Sequence, residues 1–504
     1  MKEKNGKKIE VKLEDALWKS ADKLRKNIDA AEYKHIVLGL IFLRYISDSF
    51  MQKYEELLKE QSEGADPEDL DEYLADNIFF VPEKSRYTYL RDNAKDPKIG
   101  KILDEAMDEI ETHNDALKGV LPKVYAKDNL DSKCLGELID LIGNIAFDTD
   151  KSADVLGNVF EYFLGEFALA EGKQGGQFYT PKCVVELLVA MLEPYKGRVF
   201  DPCCGSGGMF VQSEEFVKSH QGRLDDISIY GQESNQTTYK LAKMNLAIRK
   251  IESSQVIWNN EGSFLNDAHK DLKADFIIAN PPFNDSDWSG EQLEQDGRWK
   301  YGVPPASNAN YAWIQHFLYH LSPNGGVAGF VLAKGALTSN TTSEATIRKA
   351  LIEDDLIDCI VNLPAKLFLN TGIPASLWFI RRQKLPNTAK KTLFIDARDL
   401  GTMINRRNKT LSKNDINQIA STYKAWKNGT DYKDIKGFCK STSIDEIRDL
   451  SYVLTPGRYV ELADSDDEFD FDTRFNELLT KLKSQVKTEQ ELSETILKNL
   501  EKIK

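Results

Sequence analysis

Ala274-Asp275-Phe276-Ile277-Ile278-Ala279-Asn280-Pro281-Pro282-Phe283 is an apolar run that stops abruptly at an asparagine and two prolines. The pattern predicts a buried strand emptying into a stiff loop. Each proline fixes its φ and offers no backbone N–H, so the carbonyls of Asn280 and Pro281 can be held pointing one way. At the carboxyl end of a strand this makes an acceptor-rich corner, suited to a neutral amine held through its N–H bonds. Phe283 adds a flat apolar face on which a ring can stack. An ordinary turn is the plain alternative, and the rest of the chain decides between the two.

Around that run, short apolar stretches alternate with helical periodicity. Strands are predicted over 198–201, 227–233, 255–258, 274–280, 326–332, 356–363 and 375–381, with 392–396 as one further candidate. Helices are predicted over 209–219, 236–249, 311–321 and 343–353. This rhythm implies an α/β fold with a mostly parallel, seven-stranded sheet covered by helices on both faces. Ligands of such sheets sit beyond the carboxyl ends of the strands, near the point where the strand order reverses.

The first 150 residues show no strand alternation. Leu13, Leu17, Ala21, Leu24 and Ile28 recur at helical spacing, 31–50 has a broad apolar face, and 102–110 and 135–145 continue the pattern. A helical N-terminal domain over 1–150, serving interaction or capping, is expected. Residues 151–400 form the expected catalytic domain, opening with an amphipathic helix over 153–169. Residues 401–504 form a C-terminal region ending in a long helix from Thr473. Phe475, Leu479, Leu482, Val486, Leu492, Ile496, Leu500 and Ile503 make a stripe there, fit for a partner helix or for the chain's own domain.

Bulk properties exclude several classes. The chain has 504 residues and a net charge of −14, whereas a protein that grips nucleic acid alone usually presents a basic surface. Either the substrate is not nucleic acid, or a basic partner supplies the grip. Six cysteines, none in a C-x-x-C pair, are no disulfide framework and point to a reducing, cytoplasmic setting. The start of the chain has no apolar signal core, and the longest apolar stretch, 36–46, contains Arg44 and is too short to span a bilayer. No membrane role is expected.

Two further motifs carry chemistry. Asp201-Pro202-Cys203-Cys204-Gly205-Ser206-Gly207-Gly208 follows the first strand and opens a helix. Its glycines let the backbone approach a ligand closely, and Asp201 can accept from a ligand amine. Glu233 closes the second strand, where an acid binds a ribose hydroxyl pair in nucleotide-type sites. Neither G-x-G-x-x-G nor a Walker sequence is present, so a nucleoside carrying an amine fits better than a phosphate. Upstream, Gly172, Gly175 and Gly176 precede Gln177-Phe178-Tyr179-Thr180-Pro181, a candidate lid in which Thr180 caps a helix begun by Pro181.

These motifs resemble those of S-adenosylmethionine-dependent amino-methyltransferases acting on DNA. Their order, with Gln177 to Pro181 first, the Asp201–Gly208 turn next and Asn280-Pro281-Pro282-Phe283 last, is that of the gamma class. The whole chain is similar to the modification subunit of type I restriction–modification systems. The resemblance implies a Rossmann-like methyltransferase domain and S-adenosyl-L-methionine as cofactor. It implies that Asp201, Gly205, Ser206, Gly207 and Gly208 cradle the cofactor's amino-acid end, that Glu233 takes the ribose, and that Gln177, Phe178, Tyr179, Thr180, Pro181 and Lys182 close over it. Asn280, Pro281, Pro282 and Phe283 then form the catalytic loop. The family often has Gly-Asp after the third strand. Here Glu261-Gly262-Ser263-Phe264 stands instead, leaving Glu261 or Asp267 to meet the cofactor's adenine.

The implied reaction is N6-methylation of a flipped-out adenine in duplex DNA, with Asn280 Oδ1 and the Pro281 carbonyl gripping the amine. The implied partners are DNA, a specificity subunit serving two modification subunits, and a restriction subunit, which would explain the acidic charge. Arg298, Trp299, Tyr301, Arg406 and Arg407 are candidate DNA contacts. No catalytic metal is expected; His316 and His320, one helical turn apart, are the only histidines at ligand spacing. A methyltransferase acting on protein glutamine or ribosomal RNA, or a non-catalytic subunit, is the rival reading.

Overall fold

Val199, Phe200, Ile277, Ile278 and Val331 are completely buried, and they lie in the middle of a nine-stranded sheet. In this computed structural model, residues 30–144, 157, 159–167, 180–220, 222, 226–368, 374–406, 408–461 and 471–501 are described. The sheet comprises β1 Gly197–Asp201, β2 Ile227–Glu233, β3 Val256–Trp258, β4 Phe276–Ala279, β5 Val327–Ala333, β6 Ile357–Asn362, β7 Ala375–Arg381, β8 Lys391–Asp396 and β11 Cys439–Ser443, while β9 Thr402–Met403 and β10 Lys409–Thr410 pair only with each other. Its order is β11-β8-β6-β7-β5-β4-β1-β2-β3. β7 and β11 run antiparallel to their neighbours, while the remaining pairs are parallel. The chain winds outward from β1 to β3 and returns to place β4 beside β1, so the strand order reverses there. Asp201 and Asn280 stand at the carboxyl side of that junction.

The seven expected strands are present, but the sheet has nine. The candidate at 392–396 joins as β8, and β11 was not expected at all. Cys-Lys-Ser-Thr-Ser is polar because β11 is an edge strand, burying Cys439 and Thr442 while its other residues stay partly exposed. Between them, helix Lys413–Asn428 covers one face through Ile416, Ile419, Tyr423 and Trp426, and opens with a Ser412–Asp415 capping box. The sheet therefore continues past residue 400.

The N-terminal region is helical as expected, over Ala30–Glu60, Ile99–His113 and Ser132–Gly143 among others. The expected helix over 13–28 lies outside the described residues. The core of this region does not end near residue 150. Phe160, Phe163 and Phe167 from the helical segment 159–167 join it, as do Leu241, Met244 and Ile248 from helix Gln236–Ile248. One face of that helix thus belongs to the N-terminal core and the other to the sheet. Asn235 starts it by accepting from the N–H groups of Thr237 and Thr238, at 3.0 and 3.1 Å.

Residues 461–504 form a separate unit, described here as a helix over Phe471–Glu501. Leu482, Val486, Leu492 and Ile496 of the expected stripe are exposed on it. Ile503 lies outside the described residues. No helix among the described residues is long and apolar enough to cross a membrane.

Candidate active site

The turn after β1 folds back on itself because Gly205 and Gly207 adopt φ of 54° and 77°, where a side chain would be strained. Cys204 N–H donates to Gln232 O at 3.0 Å, tying the turn to β2. Glu233, at the end of β2, accepts from Gly205 N–H at 3.0 Å and from Asn235 N–H at 2.8 Å. Asn245, from the shared helix, donates to Ser206 O at 2.8 Å. These bonds hold the glycine turn against β2 and the shared helix.

A cavity of about 290 Å³ opens over this turn, at the lower end of the ~300–1,000 Å³ usual for small-molecule sites. Of the residues singled out in the sequence, Thr180, Lys182, Asp201, Gly205, Ser206, Gly208 and Glu233 line it, together with Asn280 and Pro282. Nothing lies within 4 Å of where a Cβ on Gly208 would be. Gly207, Pro181, Pro281 and Phe283 are not among the residues lining it; Phe283 meets Phe368 edge-on at 5.7 Å. Gln177, Phe178 and Tyr179 lie outside the described residues.

Thr180 does not cap a helix. The helix begins at Lys182 with Pro181 as its cap, and Asn280 Nδ2 donates to the Thr180 hydroxyl at 3.0 Å instead. With Nδ2 on Thr180, Oδ1 is the amide atom left for another partner. Oδ1 is buried and has no hydrogen-bond partner among the described residues. A buried acceptor without a donor costs on the order of 1–3 kcal/mol, so it stands ready for one. Just beyond, Asn284 takes a φ of 52°, and its N–H and Oδ1 are held by the amide of buried Asn310 at 3.2 and 2.9 Å. The loop is clamped at both ends.

Burial pushes the Asp201 carboxyl up to about 7, against the lowering bonds from the Cys203 N–H and thiol. Glu233 is also raised, by burial first, with the Asn235 and Gly205 N–H groups opposing. Two buried acids beside a glycine turn suit a ligand that brings hydroxyls and a positive charge.

Asp267 is not at the cavity. It is buried, accepting from His320 Nε2 at 2.9 Å and from His269 N–H at 2.9 Å. Burial raises its carboxyl, but the His320 bond, the two neighbouring imidazoles and the His269 N–H outweigh this and hold it below the usual carboxylate range. Glu261 lines the cavity in its place. Asp267, His316 and His320 offer ligand atoms within 4.8 Å of one another, which suggests a metal site. The donor set speaks against one. Arg298 Nη1 lies 3.0 Å from His316 Nδ1, and a guanidinium only donates. His316 therefore carries its proton on Nε2 and has no lone pair left for an ion.

Arg298 and Trp299 are not free to meet DNA either. Arg298 is buried and donates to Phe264 O at 2.6 Å, Ser263 O at 3.2 Å and Asp296 Oδ2 at 2.7 Å. Trp299 is buried, with its indole N–H on Leu293 O, and the Tyr301 hydroxyl is bonded to Asp354. Together they brace the loop beneath Phe264. The sequence reading also missed the aromatic wall of the cavity, where Phe264 packs on Trp313 at 4.3 Å and on Trp288 at 5.1 Å. It missed Glu161 and Arg249 too, which reach the cavity from the segment 159–167 and the end of the shared helix. Their only signal is an apolar-looking context far from any motif.

A mostly parallel sheet with a reversed order at β1 and β4, a glycine turn, a buried acid closing β2 and an amide acceptor with no partner among the described residues fit the class of nucleoside-cofactor methyltransferases. Residues 151–468 match the N-6 DNA Methylase family, and residues 13–142 match the HsdM N-terminal domain. The chain is 41% identical over 502 residues to the type I restriction enzyme MjaIX methylase subunit of Methanocaldococcus jannaschii, covering 95% of this chain and 89% of that one. It is 47% identical over 414 residues to the type I restriction enzyme HindI methylase subunit of Haemophilus influenzae, covering 80% of this chain and 92% of that one. A crystal structure of the type I restriction–modification system methyltransferase subunit from Streptococcus thermophilus superposes with a TM-score of 0.76 at 26% identity, covering 90% of this chain and all of that one. The chain belongs to the N-6 DNA methylases and, among them, to the methylase subunits of type I restriction enzymes.

Proposed function

We propose that this chain methylates N6 of adenine in duplex DNA, with Asn280 and the Pro281 carbonyl as the two acceptors for the target amine. The observation that carries the reading is the buried Asn280 Oδ1, without a hydrogen-bond partner among the described residues, beside the glycine turn. S-adenosyl-L-methionine, when bound, supplies the sulfonium methyl group. Asp201 and the Gly205–Gly208 turn fit its amino-acid end, Glu233 its ribose hydroxyls, and Glu261 its adenine amine. The amine of adenine shares its lone pair with the ring. Gripping both hydrogens draws that nitrogen toward a pyramidal shape and aims the lone pair at the methyl group. The base must leave the stack to arrive. Phe283, held edge-on by Phe368, offers the face on which it stacks.

A chain with net charge −14 fits a cytoplasmic complex in which a specificity subunit holds two copies of this one on the DNA and a restriction subunit joins them. Label from S-adenosylmethionine should appear on adenine in duplex DNA only when the specificity subunit is present. Label without it, or label on protein or RNA, overturns the assignment.

Thr180→Val removes the hydroxyl that orients Asn280 and keeps the shape. One hydrogen bond of this kind is worth about 1 kcal/mol, so the turnover rate falls roughly five- to tenfold. Thr180→Ser restores it. Unchanged turnover in the Val variant would show that the amide needs no such hold.

Asp201 adds a pH dependence. Its charged form suits the cationic cofactor, yet in the free protein the carboxyl titrates at about 7, so binding below that pH releases a proton. Cofactor affinity is expected to fall by up to about tenfold per pH unit below 7 and to level off above it. Because Glu233 is raised as well, the apparent value belongs to the pair. Calorimetry in buffers of different ionisation heat reads the proton directly, and Asp201→Asn flattens the profile. For the free protein the sign is opposite. A raised carboxyl contributes stability below its unfolded value of 3.8 that is lost as pH rises through about 7.

A further inference from the structure

The rim of the sheet carries a small hairpin that methyl transfer does not use. β9 Thr402–Met403 and β10 Lys409–Thr410 pair antiparallel, with Met403 opposite Lys409. The chain reaches the hairpin from the carboxyl end of β8, which runs in the same direction as β4. The hairpin therefore stands on the edge of the sheet that carries Asn280. Its base is tied down: Lys409 N–H donates to Lys366 O, and Lys409 Nζ to Leu400 O, both at 2.8 Å. Lys366 belongs to the loop after β6 that also carries Phe368, the ring against Phe283. Two contacts, Lys409 with Lys366 and Phe368 with Phe283, thus link the hairpin's root to the catalytic loop.

Its turn is ordered by Ile404 N–H donating to Asn408 O at 2.9 Å and Asn408 N–H to Asn405 Oδ1 at 2.8 Å. At the tip, Met403 is 47% and Ile404 67% exposed. Exposed Arg406 lies beside them, and exposed Lys366 lies at the root. Arg407 is outside the described residues. Two large apolar side chains in water do nothing for the fold. In a chain of net charge −14, they are flanked by cations on the edge of the sheet that also carries Asn280.

We propose that this hairpin is a wedge for duplex DNA: Met403 and Ile404 enter the stack at the target adenine while Arg406 and Lys366 meet the neighbouring phosphates. The inference rests on the adenine-methyltransferase reading above. A flipped base leaves a gap whose neighbours have lost their stacking, and an apolar side chain in that gap shifts the equilibrium toward the flipped state. The cations supply the sequence-independent attraction.

The test uses the complex with its specificity subunit and a duplex bearing that complex's own site, located beforehand from N6-methyladenine positions in the host genome. The Met403→Ser, Ile404→Ser double variant should bind cofactor as the parent does. Emission from 2-aminopurine placed at the target should fall several-fold. Methyl transfer to a paired duplex should fall about tenfold, the rate equivalent of about 1.4 kcal/mol of lost help with flipping. It should recover on a duplex whose target adenine faces an abasic position, where flipping is already easy. Equal loss on both duplexes, or loss on neither, overturns the wedge. A parent complex that labels no adenine duplex overturns the underlying reading, and the wedge with it.

Discussion

Asn280→Ala lowers methyl transfer by about 10²- to 10³-fold while cofactor affinity stays as it was. The magnitude is that of removing one preorganised polar group aimed at a reacting centre. The split follows from placement. The proposed cofactor cradle lies on β1, β2 and the glycine turn, whereas Asn280 follows β4 and its oxygen is bonded to nothing among the described residues. Asn280→Gln keeps the amide but moves it by one methylene, off Thr180. With Pro281 and Pro282 fixing the loop and Asn310 clamping Asn284, little can adjust, and the loss should be nearly as large. Single-turnover transfer of label, read beside cofactor titration, checks both variants. An alanine variant as fast as its parent would remove Asn280 from the chemistry.

Arg298→Ala unfolds the catalytic region more readily, by about 3–5 kcal/mol, rather than weakening a DNA contact. Its guanidinium is buried against two carbonyls, the Asp296 carboxylate and His316. Without it, Asp296 loses the partner that holds its carboxyl below the usual range against the opposing effect of burial, and Phe264 O and Ser263 O lose their donor. Denaturant or thermal unfolding reads the loss. A variant as stable as the parent but poor at binding DNA would return Arg298 to the surface role that its sequence suggested.

Arg298 also shows where sequence reading stops. An arginine beside Trp299 and Tyr301 looks the same on paper whether it reaches outward or braces a loop, because its partners, Phe264 O and His316, come from distant segments. Asp267 misled for the same reason: its partner His320 is 53 residues away. What could be read were features written in consecutive residues. The apolar runs of β1, β2, β4 and β5, the glycine turn and the Asn-Pro-Pro-Phe loop each carry their own period or backbone restriction. β11 carried no such signal, since a polar edge strand takes its register from β8 rather than from its own side chains. The helix over Lys413–Asn428 was legible in principle: Ile416, Ile419, Tyr423 and Trp426 recur at three and four residues.

Helix Gln236–Ile248 has a consequence for exchanging parts between relatives. Leu241, Met244 and Ile248 complete a core otherwise made by the N-terminal helices, and Asn245 on the same helix supports the turn at Ser206. A chimera spliced at residue 150 would join helices from one parent to a packing face inherited from the other. Three apolar side chains would meet a surface they did not evolve with, at roughly 1.5–3 kcal/mol for each one left unburied. A donor of the N-terminal region would have to bring this inner helix with it, although more than eighty residues of chain lie between.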